Sequence, residues 1–338
     1  MIDFRYHLVS TVAIFLALTV GIVLGSTMLQ DPLLHTLKEE TEQLRLQSER
    51  LRADKDVADQ FNAGAAQLIA AYETVMLDRR LTDVRIVVVE PDGVDPTLRD
   101  AVVEQLRHAG GTVVGRITLT ERYLDPAEAT HVAKVADRWA EGLNVSYDNP
   151  YEQAGAELAQ ALLAFEDDQR ADTGFDPDSV LAGYVTSGLL AVHGKPAGRA
   201  DAALLLAPAE PFAFADERDA EDPAATPPAN AIMLAFARAL DQVGIATVLA
   251  GPPDAADPHG VIGQARTEKA RFTTVDIAGT APGDVVTVLA LATAVEGRPG
   301  HYGIGAQADG FLPEVLPTPR PEPTPTPSGA LSAVDDEP

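Results

Sequence analysis

The 338-residue chain contains no cysteine. That absence removes disulfides, thiolate metal sites, zinc fingers, iron–sulfur clusters and cysteine nucleophiles together. It leaves the compartment open, because a large enough core needs no disulfide on either side of a membrane. Thioether sulfur is scarce too: Met1, Met28, Met76 and Met233 are the four methionines, and none is paired at ligand spacing. The seven histidines are scattered along the chain. Soft metal ions select Cys and Met sulfur, so the sequence shows no obvious site for one. Aromatics amount to 5%, with Trp139 the sole tryptophan, whereas a transmembrane barrel needs alternating strands of roughly 10 residues and aromatic girdles. Basic residues are also few. Lys and Arg number 25 against 51 Asp and Glu, a net charge of −26, which excludes nucleic acid as a partner. GxSxG, HExxH, a phosphate-binding GxxxxGK(S/T) loop and an EF-hand pattern are all missing, so the chain reads as no enzyme and implies no cofactor. Gly303-Ile304-Gly305 is a lone GxG that follows no expected strand and opens no helix. Thr186-Ser187-Gly188 lies within an apolar run expected to be helical, with no nearby base, and reads as structural.

What the chain does have comes first in the sequence. Residues 8–29, LVSTVAIFLALTVGIVLGSTML, carry no charge and follow a short flank, residues 1–7. About 20 apolar residues match the thickness of bilayer hydrocarbon. A cleaved signal peptide would show a more basic leader, a shorter apolar core and a small-x-small cleavage site, so an uncleaved anchor is expected. Ala17, Gly21 and Gly25 recur at four-residue spacing, the interval that lets two membrane helices approach closely. Counting Arg5 and the terminal amine against Lys38 favours an inside N-terminus by a small margin.

A long helix is expected over 33–81. Leu37, Leu44 and Leu51 fall seven apart, and Ala58, Ala65 and Tyr72 continue the series. The partner series Leu33, Glu40, Gln47, Asp54, Phe61, Leu68, Val75 is polar in its middle, whereas a sustained coiled coil wants both series apolar. Two readings stay open: a membrane-proximal coiled coil over 30–82 that makes a homodimer, or a helix packed on its own domain. In the first, the 61–75 end docks on that domain.

From 83 onward, short β-branched runs alternate with helical patterns. Strands are expected at 84–89, 112–120, 202–207, 246–250 and 272–277. Helices are expected at 96–108, 126–143, 150–165, 179–192, 230–243 and 282–295. Such alternation argues for βαβ units, and thus for a Rossmann-like, mostly parallel α/β domain over 83–312. Residues 208–228, rich in Pro, Ala and acid, read as a solvated loop, and 313–338, with eight prolines, as a disordered tail.

Two loops share one pattern of strand, turn and Asp-Pro. Asp92, Asp254 and His259 are the candidate cation ligands there, at what would be the carboxyl edge of the sheet. The alternative is structural: Asp95 and Asp257 each precede a proline, as a helix N-cap does.

The opening Met1-Ile2-Asp3-Phe4-Arg5-Tyr6-His7-Leu8-Val9-Ser10, the apolar run ending Gly21-Ile22-Val23-Leu24-Gly25, and the late Gly300-His301-Tyr302-Gly303-Ile304-Gly305 before Leu312-Pro313 resemble the MctB family of actinobacteria. The resemblance implies copper transport or homeostasis and an outer-membrane location, whereas the residues themselves read as an inner-membrane anchor carrying an extracytoplasmic domain. Related members called SteB imply cell separation instead, with a neighbouring membrane protein, SteA, and a peptidoglycan hydrolase as partners. The family implies no catalytic residues. The reading that follows is a single-pass envelope protein that acts by binding rather than as a pore, with a SteB-like scaffold as the alternative.

Overall fold

The computed structural model describes residues 4–139, 147, 149–163, 175–210, 212 and 228–321, and the side chains of residues 5 and 26–37 are outside that description. The chain divides into two units, Met1–Gly64 and Ala65–Pro338.

The described part of the first unit is helix. It belongs to α1, Phe4–Leu77, which runs through Pro32 without a break. Its stretch Tyr6–Gly25 is 20 residues long with mean hydropathy 2.5, enough to cross a membrane by length and composition.

The second unit is built on seven strands: β1 (Arg85–Pro91), β2 (Thr112–Leu119), β3 (Leu190–Gly194), β4 (Ala202–Leu206), β5 (Ala246–Ala250), β6 (Thr273–Val275) and β7 (His301–Tyr302). They lie in the order β3-β2-β1-β4-β5-β6-β7, all neighbours parallel except β2 and β3. A parallel strand is covered on both faces, so its sequence is apolar throughout rather than alternating. RIVVVEP, AALLL and ATVLA of β1, β4 and β5 fit that rule, and only Arg85 at the start of β1 is exposed. On one face, Ile86, Val88, Leu204 and Val248 meet α2 (Pro96–His108) and α9 (Ala281–Val295). On the other, Val87, Val89, Ile117 and Leu205 meet α3 (Glu121–Leu124), α4 (Ala129–Ala136), α5 (Pro150–Leu162), α6 (Pro177–Thr186), α7 (Pro228–Val243) and α8 (Val261–Thr267).

Several expectations need correction. The helix expected over 179–192 stops at Thr186; Gly188, with φ of +73°, turns the chain, which returns as antiparallel β3. The helix expected over 126–143 is a 3-10 turn, Pro126–Glu128, followed by α4, and 140–143 lie outside the described residues. Strand β7 has no counterpart in the sequence reading, so the GxG does follow a strand. The domain also starts before 83, because Leu77 and Leu81 are fully buried in the α2/α9 layer. Its packing extends past 312 as well. Thr318 donates its N–H to Glu296 (2.8 Å), Arg320 donates its own to the Arg79 carbonyl (2.8 Å), and Arg80 bonds the Pro317 carbonyl. Residues 313–321 are therefore part of the folded unit, whereas 322–338 and most of the acidic 208–228 loop lie outside the described residues.

The end of α1 packs on the domain through one face. Ile69 and Met76 pack against the α2/α9 layer, and Gln105 donates to Glu73 at 2.9 Å. Leu68, Tyr72 and Val75 stay exposed.

Candidate functional site

Strand order reverses between β1, whose chain continues to β2, and β4, whose chain continues to β5. In open α/β sheets, ligands bind outside the carboxyl ends of the strands near such a switch point. The last charged side chain of β1 there is Glu90, 5% exposed. It sits two residues beyond Val88, opposite Thr118 of β2. Its Oε1 lies 3.3 Å from Arg99 Nη1 on α2 and 3.4 Å from Arg116 Nε on β2. Its Oε2 has no hydrogen-bond partner among the described residues. Arg99 Nε donates to Asp100 Oδ1 at 2.9 Å, and that bond raises the Arg99 pKa further above its ordinary value. Across the sheet, Arg116 pairs with His193 of β3. Two guanidiniums thus share one carboxylate oxygen, and with Asp100 on Arg99 the corner holds two positive and two negative charges. Guanidinium forks match carboxylate oxygens, and here they are taken up by the protein's own Glu90 and Asp100.

A second buried constellation explains the late glycine motif. Asp276, just after β6, is fully buried and paired with Arg266 of α8. It accepts N–H bonds from Ile304 (2.8 Å) and Gly305 (2.9 Å). Arg266 also donates to the Tyr302 carbonyl and to Thr274, both at 2.9 Å. Gly303 has φ of +129°, and a Cβ there would collide with the Asp276 carboxylate. Hence the GxG binds the protein's own carboxylate, and its role is structural.

The proposed cation ligands are not brought together. Asp92, Asp254 and His259 are exposed, and among the described residues no three His, Asp or Glu side chains form a metal-holding group. Asp95 is the N-cap of α2, its carboxylate accepting from Thr97 N–H at 2.8 Å with Pro96 in the first turn. Asp257 is not a helix N-cap: it is the C-cap of the 3-10 turn Pro253–Ala256, and α8 begins later with Gly260 as its N-cap. Gly260 fits there because a Cβ would strike the Ala255 carbonyl. Ser187 Oγ only donates back to the Gly183 carbonyl at 2.8 Å. A cavity of about 560 Å³, lined by Arg238, Asp241, Glu268 and Arg271 among others, opens at the amino edge of the sheet. Arg238 and Glu268 close on each other across it.

On α1, Ala17, Gly21 and Gly25 are exposed, and a Cβ on either glycine would meet nothing within 4 Å. Leu44 and Leu51 are exposed as well, and the Leu37 side chain is outside the described residues.

A family model described as "Copper transport outer membrane protein, MctB" matches residues 1–313, from the N-terminal apolar helix through the Asp276-binding motif. This chain belongs to the MctB family. Similar proteins include "Copper transporter MctB" of Mycobacterium tuberculosis, 28% identical over 90% of this chain and 97% of its own length. The proteins of that name in Mycobacterium bovis and Mycobacterium leprae have the same identity and coverage. Sequence reasoning about this MctB-family chain missed Glu90, Arg99, Arg116 and the Arg266–Asp276 pair. A charged residue at the end of an apolar strand run, as in VRIVVVE, is the one signal that was available.

Proposed function

We propose that this MctB-family chain is held in the inner membrane by one uncleaved helix and presents its α/β domain outside the cytoplasm. There it serves copper homeostasis by binding rather than by forming a pore. The observation that supports this reading is the make-up of the two units: among the described residues one helix is long and apolar enough to span, Tyr6–Gly25, and the second unit is a sheet with helices on both faces. A pore would have to be lined by copies of that helix, whose polar residues are few, and Thr11 and Thr19 spend their hydroxyls on the His7 and Phe15 carbonyls. The test is Cu(I) flux into vesicles carrying the full chain. Uptake no faster than in protein-free vesicles is expected, and saturable uptake would refute the proposal.

The exposed apolar side chains of α1, Leu44 and Leu51 among them, favour a second reading. In it the helix is a scaffold for an envelope protein, such as a SteA-like protein or a peptidoglycan hydrolase. Loss of cell separation without copper sensitivity on deletion would favour that reading over the first.

A further inference from the structure

The last turns of α1 carry an apolar stripe that the domain leaves open. Ala58, Phe61, Ala65, Leu68, Tyr72 and Val75 follow one another at alternating spacings of three and four residues, the a and d positions of a heptad repeat. The large members are well exposed: Phe61 77%, Leu68 61%, Tyr72 57% and Val75 74%. Their exposure is not for want of packing nearby, because the adjacent face of the same turns is committed to the domain through Ile69, Glu73 and Met76. Between Asp59 and Asp78 the only charged residue is Glu73, and it already accepts the Gln105 bond. In a chain of net charge −26, two copies repel over most of their surface. This stretch is a place where they do not.

We propose that the stripe is the contact between two copies of this chain, forming a parallel, in-register, two-stranded coiled coil over residues 58–75. An a/d stripe is its own complement: Leu68 meets Leu68, Tyr72 meets Tyr72, and no second sequence is required. The contact replaces the upstream seam at Leu37, Leu44 and Leu51, whose intervening positions Glu40, Gln47 and Asp54 would bury charge or amide against its twin. Eighteen residues make only about 27 Å of helix, too little for a stable pair free in water. Confinement to one membrane raises the effective concentration and fixes the parallel sense. In that respect the proposal rests on the anchor reading.

Because the chain has no cysteine, each introduced thiol reports alone. The full chain in lipid vesicles would carry Leu68→Cys, Val75→Cys, Ala70→Cys or Leu44→Cys and be exposed to a mild, metal-free oxidant. Linked dimer at 68 and 75 should form on the order of tenfold faster than at 70, because a disulfide needs Cα atoms within about 7 Å and residue 70 lies on the far side of the helix. Linkage at 44 with none at 68 and 75 would overturn the proposal in favour of the upstream seam. Linkage at none of them in a membrane-inserted chain would overturn it and leave the stripe to a different partner. Alkaline carbonate extraction reads the anchor separately. A chain released by carbonate yet linked at 68 and 75 keeps the contact and sinks the anchor, and one released and unlinked sinks both. The double variant Leu68→Glu, Tyr72→Glu should run as a monomer in mass photometry with an unchanged thermal transition, and a persistent dimer would count against the stripe.

Discussion

Glu157 sits in the middle of α5 with none of its surface exposed. Tyr184 Oη donates to it at 2.7 Å and Gln153 Nε2 at 3.4 Å, yet burial dominates and pushes its pKa up to about 7. A carboxyl whose folded pKa is raised stabilises the fold fully below its unfolded value, and that contribution is lost as pH climbs through the folded value. The window here runs from about pH 4.5 to about pH 7. Glu157→Gln should therefore gain on the wild type as pH rises. The gain should reach up to about 3 kcal/mol at pH 8, since each tenfold change in proton affinity is worth roughly 1.4 kcal/mol. Thermal unfolding of both proteins across pH 5 to 8 would show it, and parallel curves would contradict it. At Asp276 the opposite holds. Asp276→Asn strands the buried Arg266 guanidinium and should cost roughly 3–5 kcal/mol, measurable by urea unfolding. Neither role is legible in the sequence, because the partners are non-local. Arg266 and the 304–305 amides reach Asp276 across 10 residues one way and 28 and 29 the other. The Asp95 cap is legible because its whole interaction spans two residues.

Among the elements, the parallel strands and their helices read well wherever composition and length agree. Helix α2 and strand β5 match their expected bounds residue for residue. The misreading at 179–192 has a physical origin. VLAGYVTSGLLAV is apolar whether it forms a buried helix or a helix followed by a strand, and what decides between them is the left-handed backbone at Gly188. Gly188→Val should strain that turn by about 1–3 kcal/mol and lower the unfolding midpoint. A midpoint equal to wild type would mean that the turn relaxes without the glycine. Asp95→Ala should cost about 1 kcal/mol by leaving a first-turn N–H of α2 unpaired. The packed face of α1 illustrates another limit. Heptad spacing marks Phe61, Leu68 and Val75 as wanting cover, but Ile69 and Met76, one place along, are what the domain covers.

For the molecule as a whole, the folded unit is longer at both ends than composition alone indicates. A chain trimmed to 83–312 loses Leu77 and Leu81 from the core and the 313–321 strap with them. It should unfold at lower temperature than one trimmed to 65–321, and equal midpoints would show these contacts to be dispensable. The two borders of the sheet bear on how such a unit tolerates crowding. Strand β7 has two residues and is overlain by 309–310, where Gly303 N–H bonds Gly310 and Asp309 N–H bonds the His301 carbonyl. Strand β3 is five residues long and runs out into Gly194-Lys195-Pro196. Neighbouring copies on a membrane would meet strand edge to strand edge far more often than in free solution. A border that is short, already bonded, or ended by lysine and proline presents little backbone on which a foreign strand can add. Continuous intermolecular sheet, the first step toward fibrous aggregate, therefore has no good starting point on either side.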